Sequence, residues 1–332
     1  MKSALTLLLI VLIGGRVTAA PDSVSYRNLV FEGGGVRGIA YAGALNVLEE
    51  RGMLENVERV GGTSVGAVTA LLVAVGYTAP EMTAILADLN MGQFNDGRWF
   101  FMGGFHRLNR QYGWYRGERF ERWLETLIAR KTGDSNLTFA QLHQRKGGLY
   151  KDLYVTGTDL TNQKAVVFSH EHTPDLPLKT AVRISMSVPL YFGAVFMDDQ
   201  NRVVRKPRKG QTYRILVDGG LTANYPIDLF DFGGRQNPET LGFKLERPEQ
   251  IQQSSTGDGL APYAIRNVND YVSALYNYVI ENLNRRPASD GEKSRTVYIS
   301  MESVRPRVRR MQANETQRLY KSGERAARLF TR

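Results

Sequence analysis

The sequence predicts an α/β protein in which parallel strands are joined by crossover helices. In "NLVFEGGGVRGIAYAGALNVLEERG" (28–52) a short apolar strand, Leu29 to Phe31, runs into a glycine loop. A helix from about Ile39 to Arg51 follows, and Gly52 ends it. In "VERVGGTSVGAVTALLVAV" (57–75) a second short strand runs into Gly61-Gly62, a hydroxyl pair, and a helix from about Ala67 to Val75. Strand–loop–helix twice in succession is how parallel neighbours connect, because a tight turn cannot return the chain in the same direction. The third observation is size. The chain has 332 residues, 42% hydrophobic and 23% charged, which suits one large core.

Taken in order, "MKSALTLLLIVLIGGRVTAAPDS" joins Lys2 to an apolar run from Ala4 to Ile13. That run is short of the ~20 residues of a membrane span. Small residues follow to Ala19 and Ala20, the pattern of a secretory signal over residues 1–19. Residues 20–332 then form a single exported domain. An uncleaved N-terminal membrane anchor and a first core strand are the alternatives. The helix after residue 66 is apolar nearly all round and is expected to be buried. Residues 94–120 are dense in aromatics and glycine; they read as a core-covering loop, or as a lid or acyl-binding wall. "LYVTGTDLTNQKAVVFS" (153–169) alternates as two strands around a turn at Thr161–Asn162. "RVVRKPRKGQTYRILVDGG" (202–220) gives an exposed basic hairpin tip and a strand ending at Asp218. A polar loop (252–262), a long helix (263–286) and a basic, half-apolar terminal helix (317–332) complete the chain.

The absence of cysteine excludes disulfides, cysteine-ligated zinc and a thiol nucleophile. The net charge of +10 is concentrated: residues 302–332 hold nine Arg and Lys against three Glu. Such a surface meets anionic lipid, nucleic acid or only water. No nucleic-acid reader module accompanies it, so no nucleic acid is expected.

Two motifs carry chemistry. Gly62-Thr63-Ser64-Val65-Gly66 fits G-x-S-x-G between a strand and a buried helix. There the serine takes strained backbone angles, Gly62 and Gly66 remove the clashes, and the helix start adds a positive dipole end. Gly33-Gly34-Gly35-Val36-Arg37-Gly38 also matches the G-x-G-x-x-G of dinucleotide sites. That use needs an acidic residue at the end of the next strand, where Gly61-Gly62 stands instead. No Gly-Lys-Ser/Thr follows, which excludes a P-loop. The other use of bare glycine amides is an oxyanion hole, with Arg37 adding positive field or holding the loop. A serine needs a base. His106 lies in the aromatic stretch, His143 in a surface helix, and His170 and His172 in a polar loop read as solvated. None follows a strand end. Asp218 does, before Gly219-Gly220, as a base or as a simple turn carboxylate.

"EGGGVRG", "GTSVG" and "VDGG", in this order, resemble the patatin-like phospholipase family. "RISMSVPLYF" (183–192) looks like that family's Ser-x-Ser-x-Pro-x-x-Phe region, and "DGGLTANYP" supplies Asn224 and Pro226. "YGWYRGERFERWLETLI" and "LYKSGERAARLF" extend the likeness over about residues 27–332. The resemblance implies a three-layer α/β/α fold with a mainly parallel sheet. It implies a Ser–Asp dyad, with Ser64 as nucleophile and Asp218 as general base. Gly33, Gly34, Gly35, Arg37 and Gly38 become the oxyanion loop, with no metal or cofactor. Glu32 stands where many relatives have Asp, and the basic stretch 199–211 is an insertion. The implied activity is hydrolysis of phospholipid or other acyl-lipid esters at an anionic membrane surface. A lipid-binding protein without activity and a nucleotide-binding protein are the competing functions. Nothing in the sequence names an activating protein partner.

Overall fold

The computed structural model describes residues 25–97, 100–205, 207–208, 210–256, 259–283, 289–302, 304 and 310–331. The expected secretory signal therefore lies outside the described residues.

The first strand, β1 (Asn28–Phe31), leads through a 3-10 turn at Gly35–Gly38 into α1 (Ile39–Glu50). β2 (Arg59–Gly62) and α2 (Val65–Ala74) repeat the unit, and α3 (Ala79–Ala87) follows. Thr78 and Glu81 start α3 with a reciprocal capping box. Residues 94–120 are not a loop. They hold α4 (Phe100–Gln111), β3 (Gly113–Tyr115) and the start of α5 (Glu118–Thr132). The glycines that suggested a loop are sites of close packing. A Cβ at Gly104 would lie 2.6 Å from Trp114 Cε2. Next come α6 (Phe139–Gln144), the hairpin β4 (Asp152–Asp159) and β5 (Lys164–Phe168), and α7 (Leu178–Ser185). β6 (Leu190–Phe192), β7 (Val195–Met197) and β8 (Arg214–Asp218) follow, with the basic stretch between β7 and β8, then α8 (Gly220–Ala223). The chain closes with β9 (Thr240–Glu246), α9 (Pro248–Thr256), α10 (Val268–Leu283), α11 (Asp290–Ser294), β10 (Thr296–Ser300) and α12 (Ala313–Phe330). α9 takes up the first part of the expected polar loop.

The main sheet runs in the order β10-β9-β1-β2-β4-β8-β7, with β5 also paired to β4. β10, β9, β1, β2 and β4 are parallel neighbours; β5 and β8 pair with β4, and β7 with β8, antiparallel. From β1 the order grows one way to β2 and β4 and the other way to β9 and β10. Right-handed crossovers then place the connections on opposite faces. Leu29 and Phe31 join the larger core with α1 and α2, while Val30 between them packs with Tyr154 and Phe230 on the other face. This is the three-layer α/β/α arrangement. The order reverses at β1, and the carboxyl ends of strands at such a reversal are where open α/β sheets bind ligands.

α12 packs along α1 at two glycines. A Cβ at Gly43 would lie 2.0 Å from the Tyr320 carbonyl oxygen, and one at Gly323 1.9 Å from that of Ala40. Leu319 and Ala327 are fully buried. Several cations of the basic terminus are ion-paired: Arg328 with Glu50 at 2.8 Å, Arg310 with Asp88 at 2.6 Å, and Arg325 with Glu302. The terminal helix is thus a wall of the core. No helix among the described residues is long and apolar enough to cross a membrane. Gly323→Leu is expected to force the two helices apart and cost about 2–3 kcal/mol, read as a lower urea midpoint at unchanged slope.

Candidate active site

Ser64 sits between β2 and α2 with φ 54° and ψ −123°, a conformation a serine holds only under constraint. The constraint is the packing of strand on helix. A Cβ at Gly62 would lie 2.5 Å from the Gly66 carbonyl carbon, and one at Gly66 2.3 Å from the Phe31 carbonyl oxygen. Neither position admits a side chain, so the elbow is as tight as the motif requires. The Ser64 amide donates to Ser185 Oγ at 2.8 Å. Its hydroxyl points at Met186 Sδ, 3.3 Å away.

Asp218 ends β8 and is 3% exposed. Its amide donates to the Ser187 carbonyl at 3.0 Å, and its own carbonyl accepts from Thr158 Oγ1 at 2.8 Å. Asp218 Oδ1 accepts from the Gly220 amide at 2.7 Å, whereas Oδ2 is buried with no hydrogen-bond partner among the described residues. Burial pushes this carboxyl up to about 7; the Gly220 amide and the nearby Ser64 hydroxyl oppose that rise. The serine is beside the carboxyl with its hydroxyl turned to the Met186 sulfur.

β4 brings the two together. Gly62 pairs with Val155 and Asp218 with Gly157, two residues further along one strand. Between them, Thr156 Oγ1 hydrogen-bonds Thr63 Oγ1 at 2.6 Å, and Thr63 also donates to the Ala223 carbonyl at 2.6 Å. A Cβ at Gly219 would lie 2.6 Å from Thr156 Oγ1, so the turn after Asp218 rests directly on that threonine.

The glycine loop closes the cleft. A Cβ at Gly33 would be 3.4 Å from Ser64 Cβ, and one at Gly38 2.6 Å from Val65 Cγ2. The Gly33 amide donates to the Asn224 carbonyl at 3.0 Å. This removes Gly33 from the expected donors. The amides of Gly34 and Gly35 donate to nothing among the described residues. Arg37 is buried; its Nε donates to the Gly34 carbonyl at 2.8 Å and its guanidinium touches Met301 Sδ. Of the two uses weighed for Arg37, the loop-holding one is what these contacts supply. Glu32, buried beneath the loop, accepts from the Leu245 amide at 2.8 Å and from Asn224 Nδ2 at 3.3 Å. Burial pushes Glu32 up to about 8.

Three sets of residues escaped sequence reasoning. Thr63, Thr156 and Thr158 look like ordinary strand residues. Ser185 and Met186 lie inside the quoted "RISMSVPLYF", but their contacts with Ser64 have no signature. Arg183, 5% exposed, donates to the carbonyls of Gly117 at 3.2 Å, Arg116 at 2.6 Å and Gly193 at 2.9 Å, and touches Ser187 Oγ. It ties α5 and β6 to the segment that holds the Asp218 amide.

The patatin-like phospholipase model matches residues 29–231, the span that carries all of these residues up to Asn224. The chain belongs to the patatin-like phospholipase family. The YqhO protein of Bacillus subtilis is 29% identical over 315 residues, covering 92% of this chain and 98% of its own. A probable lipid hydrolase of Invertebrate iridescent virus 6 is 27% identical over 205 residues, 61% of this chain and 63% of its own. Among solved structures, VipD from Legionella pneumophila superposes with a TM-score of 0.61 at 17% identity, over 92% of this chain and 67% of VipD. That likeness is one of fold.

The raised carboxyl of Asp218 makes a prediction about stability. Between the ordinary Asp pKa of about 4 and the folded value of about 7, the native state keeps a proton that the unfolded chain releases. Stability from this group is therefore full below about pH 4, falls as pH rises, and is lost above about pH 7. Asp218→Asn does not titrate. Its melting temperature relative to the parent is expected to climb from pH 4.5 to 7 and then level off. A difference that is flat across that window contradicts a dry, protonated carboxyl.

Proposed function

We propose that this patatin-like phospholipase relative hydrolyses carboxylic esters of lipids, phospholipid or lysophospholipid, with Ser64 as nucleophile and Asp218 as base. One observation carries the proposal: a strained serine and a dry carboxylate, whose Oδ2 lacks a partner, share a cleft with the unengaged amides of Gly34 and Gly35.

The chemistry follows from those groups. Rotation of the Ser64 hydroxyl from Met186 to Asp218 Oδ2 lets the carboxylate take its proton while Oγ bonds to the ester carbonyl carbon. The carbonyl oxygen becomes an oxyanion and receives hydrogen bonds from the Gly34 and Gly35 amides; losing one such donor typically costs ~3 kcal/mol of barrier. Collapse breaks the ester C–O bond. The Asp218 proton goes to the leaving alcohol or lysolipid, and the acyl group stays on Ser64. Water then attacks, giving its proton to Asp218. Release of the fatty acid returns that proton to Ser64 Oγ. A base with a pKa near 7 is well matched to neutral pH, which an ordinary aspartate is not.

The substrate side rests on the rim. β3 pairs with β6, which follows the Ser187–Pro189 turn, and α4 precedes β3. Met102, Phe105, Tyr112 and Leu190 are exposed along this rim, Met102 by 78%. An apolar edge beside a dry cleft suits acyl chains entering from a lipid surface. The aromatic segment thus works both as core cover, through Phe94 and Phe120, and as an apolar margin. A nucleotide use of the glycine loop is disfavoured: the loop lies on Ser64 and Val65, and the Gly33 amide is committed to Asn224.

A fluorophosphonate probe is expected to label the parent at Ser64 and not the Ser64→Ala variant. On a phospholipid panel with products identified by mass, Ser64→Ala and Asp218→Asn are each expected to lose at least about 10³-fold in kcat/KM while remaining folded. The parent's kcat/KM should rise with pH through a midpoint near 7, as Asp218 loses its proton. Wild-type turnover by Ser64→Ala ends this mechanism. Labelling without lipid turnover leaves the nucleophile and removes the lipid substrate.

A further inference from the structure

At the start of β4, away from the dyad, the fold gathers three side chains that the sequence scatters. His143 comes from α6, Asp152 opens β4, and His170 lies in the turn after β5. The two imidazole rings stack in parallel, 3.9 Å between centroids and 7° between planes. Both Nδ1 atoms approach one oxygen, Asp152 Oδ1, at 2.8 Å from His143 and 3.8 Å from His170. His143 lies in a helix as expected, whereas His170 is not the solvated loop residue expected from the sequence. Only 19% of the His170 side chain is exposed, and its Nδ1 is buried with no hydrogen-bond partner among the described residues.

We infer that His143, Asp152 and His170 bind a divalent transition-metal ion of the zinc class. A buried imidazole nitrogen without a partner, facing a carboxylate oxygen it does not bond, is an arrangement that a cation between the two would satisfy. One ligand atom from each residue lies within 4.8 Å of the others. Ligands bound to one zinc at about 2.0–2.2 Å stand roughly 3.4 Å apart, so small side-chain rotations complete the site. Two imidazoles with a single carboxylate select zinc or its neighbours over magnesium or calcium, which take oxygen donors. The second oxygen, Asp152 Oδ2, is held by Lys146 Nζ at 3.1 Å, and Lys146 also approaches Glu58 at 3.6 Å. The lysine thus fixes the carboxylate with Oδ1 turned to the histidines. Its own charge opposes a second cation and limits the affinity.

The site lies away from the dyad. Asp152 precedes Gly157, the partner of Asp218, by five residues, about 16 Å of extended strand. A bound ion would clip α6 and the turn after β5 to β4.

The full chain, freed of metal by a chelator and dialysed, is titrated with Zn²⁺ by calorimetry and followed by thermal unfolding. One ion per chain and a higher melting temperature are expected, with no effect from Mg²⁺ at equal concentration. Co²⁺ should give the visible absorption of a tetrahedral site. His170→Ala should lose more than the ~10–100-fold in affinity that an outer-shell partner costs. His143→Ala serves as the second variant, since the His143 side chain is 45% exposed and its loss spares the fold. Lys146→Gln should tighten binding. Fluorophosphonate labelling of Ser64 should be unchanged throughout, which keeps this test separate from the proposed hydrolase activity. Zn²⁺ binding that is absent, or undiminished in both histidine variants, overturns the inference.

Discussion

The geometry of this protein depends on one crowded point, the side chain of Thr156 in the middle of β4. It hydrogen-bonds the residue before Ser64 and leaves no room for a side chain on the residue after Asp218. Strands β2 and β8 are far apart in sequence and run in opposite senses, one parallel and one antiparallel to β4. Only the register of each against β4 makes their ends meet. A shift of one residue in either pairing would turn every side chain of that strand to the other face. It would carry Ser64 or Asp218 out of the cleft with it. The antiparallel end of an otherwise parallel sheet is therefore what lets two strand ends face each other.

What surrounds this point is dry, and that decides the electrostatics. Two carboxyls, Asp218 and Glu32, are buried within the same region and both titrate far above their ordinary range for that reason. Lys244 and Arg37 pull Glu32 down, but burial outweighs them, and no cation among the described residues lowers Asp218. Glu32 is held by an amide and by Asn224, and Asp218 by the Gly220 amide. The buried Arg183 spends its guanidinium largely on main-chain carbonyls. Hydrogen bonds, many of them to main-chain groups, therefore hold the site together, and they leave one carboxylate oxygen with unspent capacity. A salt bridge to Asp218 would have stabilised the fold and removed its basicity at the same stroke.

Much of this was legible in the sequence. The elbow glycines, the glycine loop and Asp218 are read from local patterns, because each encodes a local backbone demand: a sharp turn, bare amides, a strand end. The first two strand–helix units follow from the same punctuation. What was hidden is what depends on long-range packing. Gly33 belongs to the glycine run, yet its amide is taken by Asn224, nearly two hundred residues on. The helix α4 was masked by Gly103 and Gly104, and Gly104 exists to admit the ring of Trp114. The terminal helix looked like a charged surface element because Arg and Lys dominate it, although its small residues, Ser322 and Gly323, form the buried seam. His143 and His170 belong to separate elements, and only the β4–β5 hairpin and the packing of α6 stack them.

The absence of histidine from the cleft links base to substrate. Among the described residues the imidazoles lie on α4 or around the start of β4, so the proposed mechanism hands the Ser64 proton to Asp218. A carboxylate becomes a competent base near neutral pH only by losing water. Burial is thus a requirement of the proposed mechanism and not a by-product of the fold. A site that must stay dry favours a substrate that arrives dry, with an apolar body that fills the cleft and admits no solvent with it. A small polar ester would bring its hydration shell and lower the pKa that makes Asp218 useful. An acyl chain delivered across the exposed edge of Met102, Phe105 and Leu190 would not. On this argument the choice of base, the burial of Asp218 and the apolar rim are one design constraint seen at three distances from the same oxygen atom.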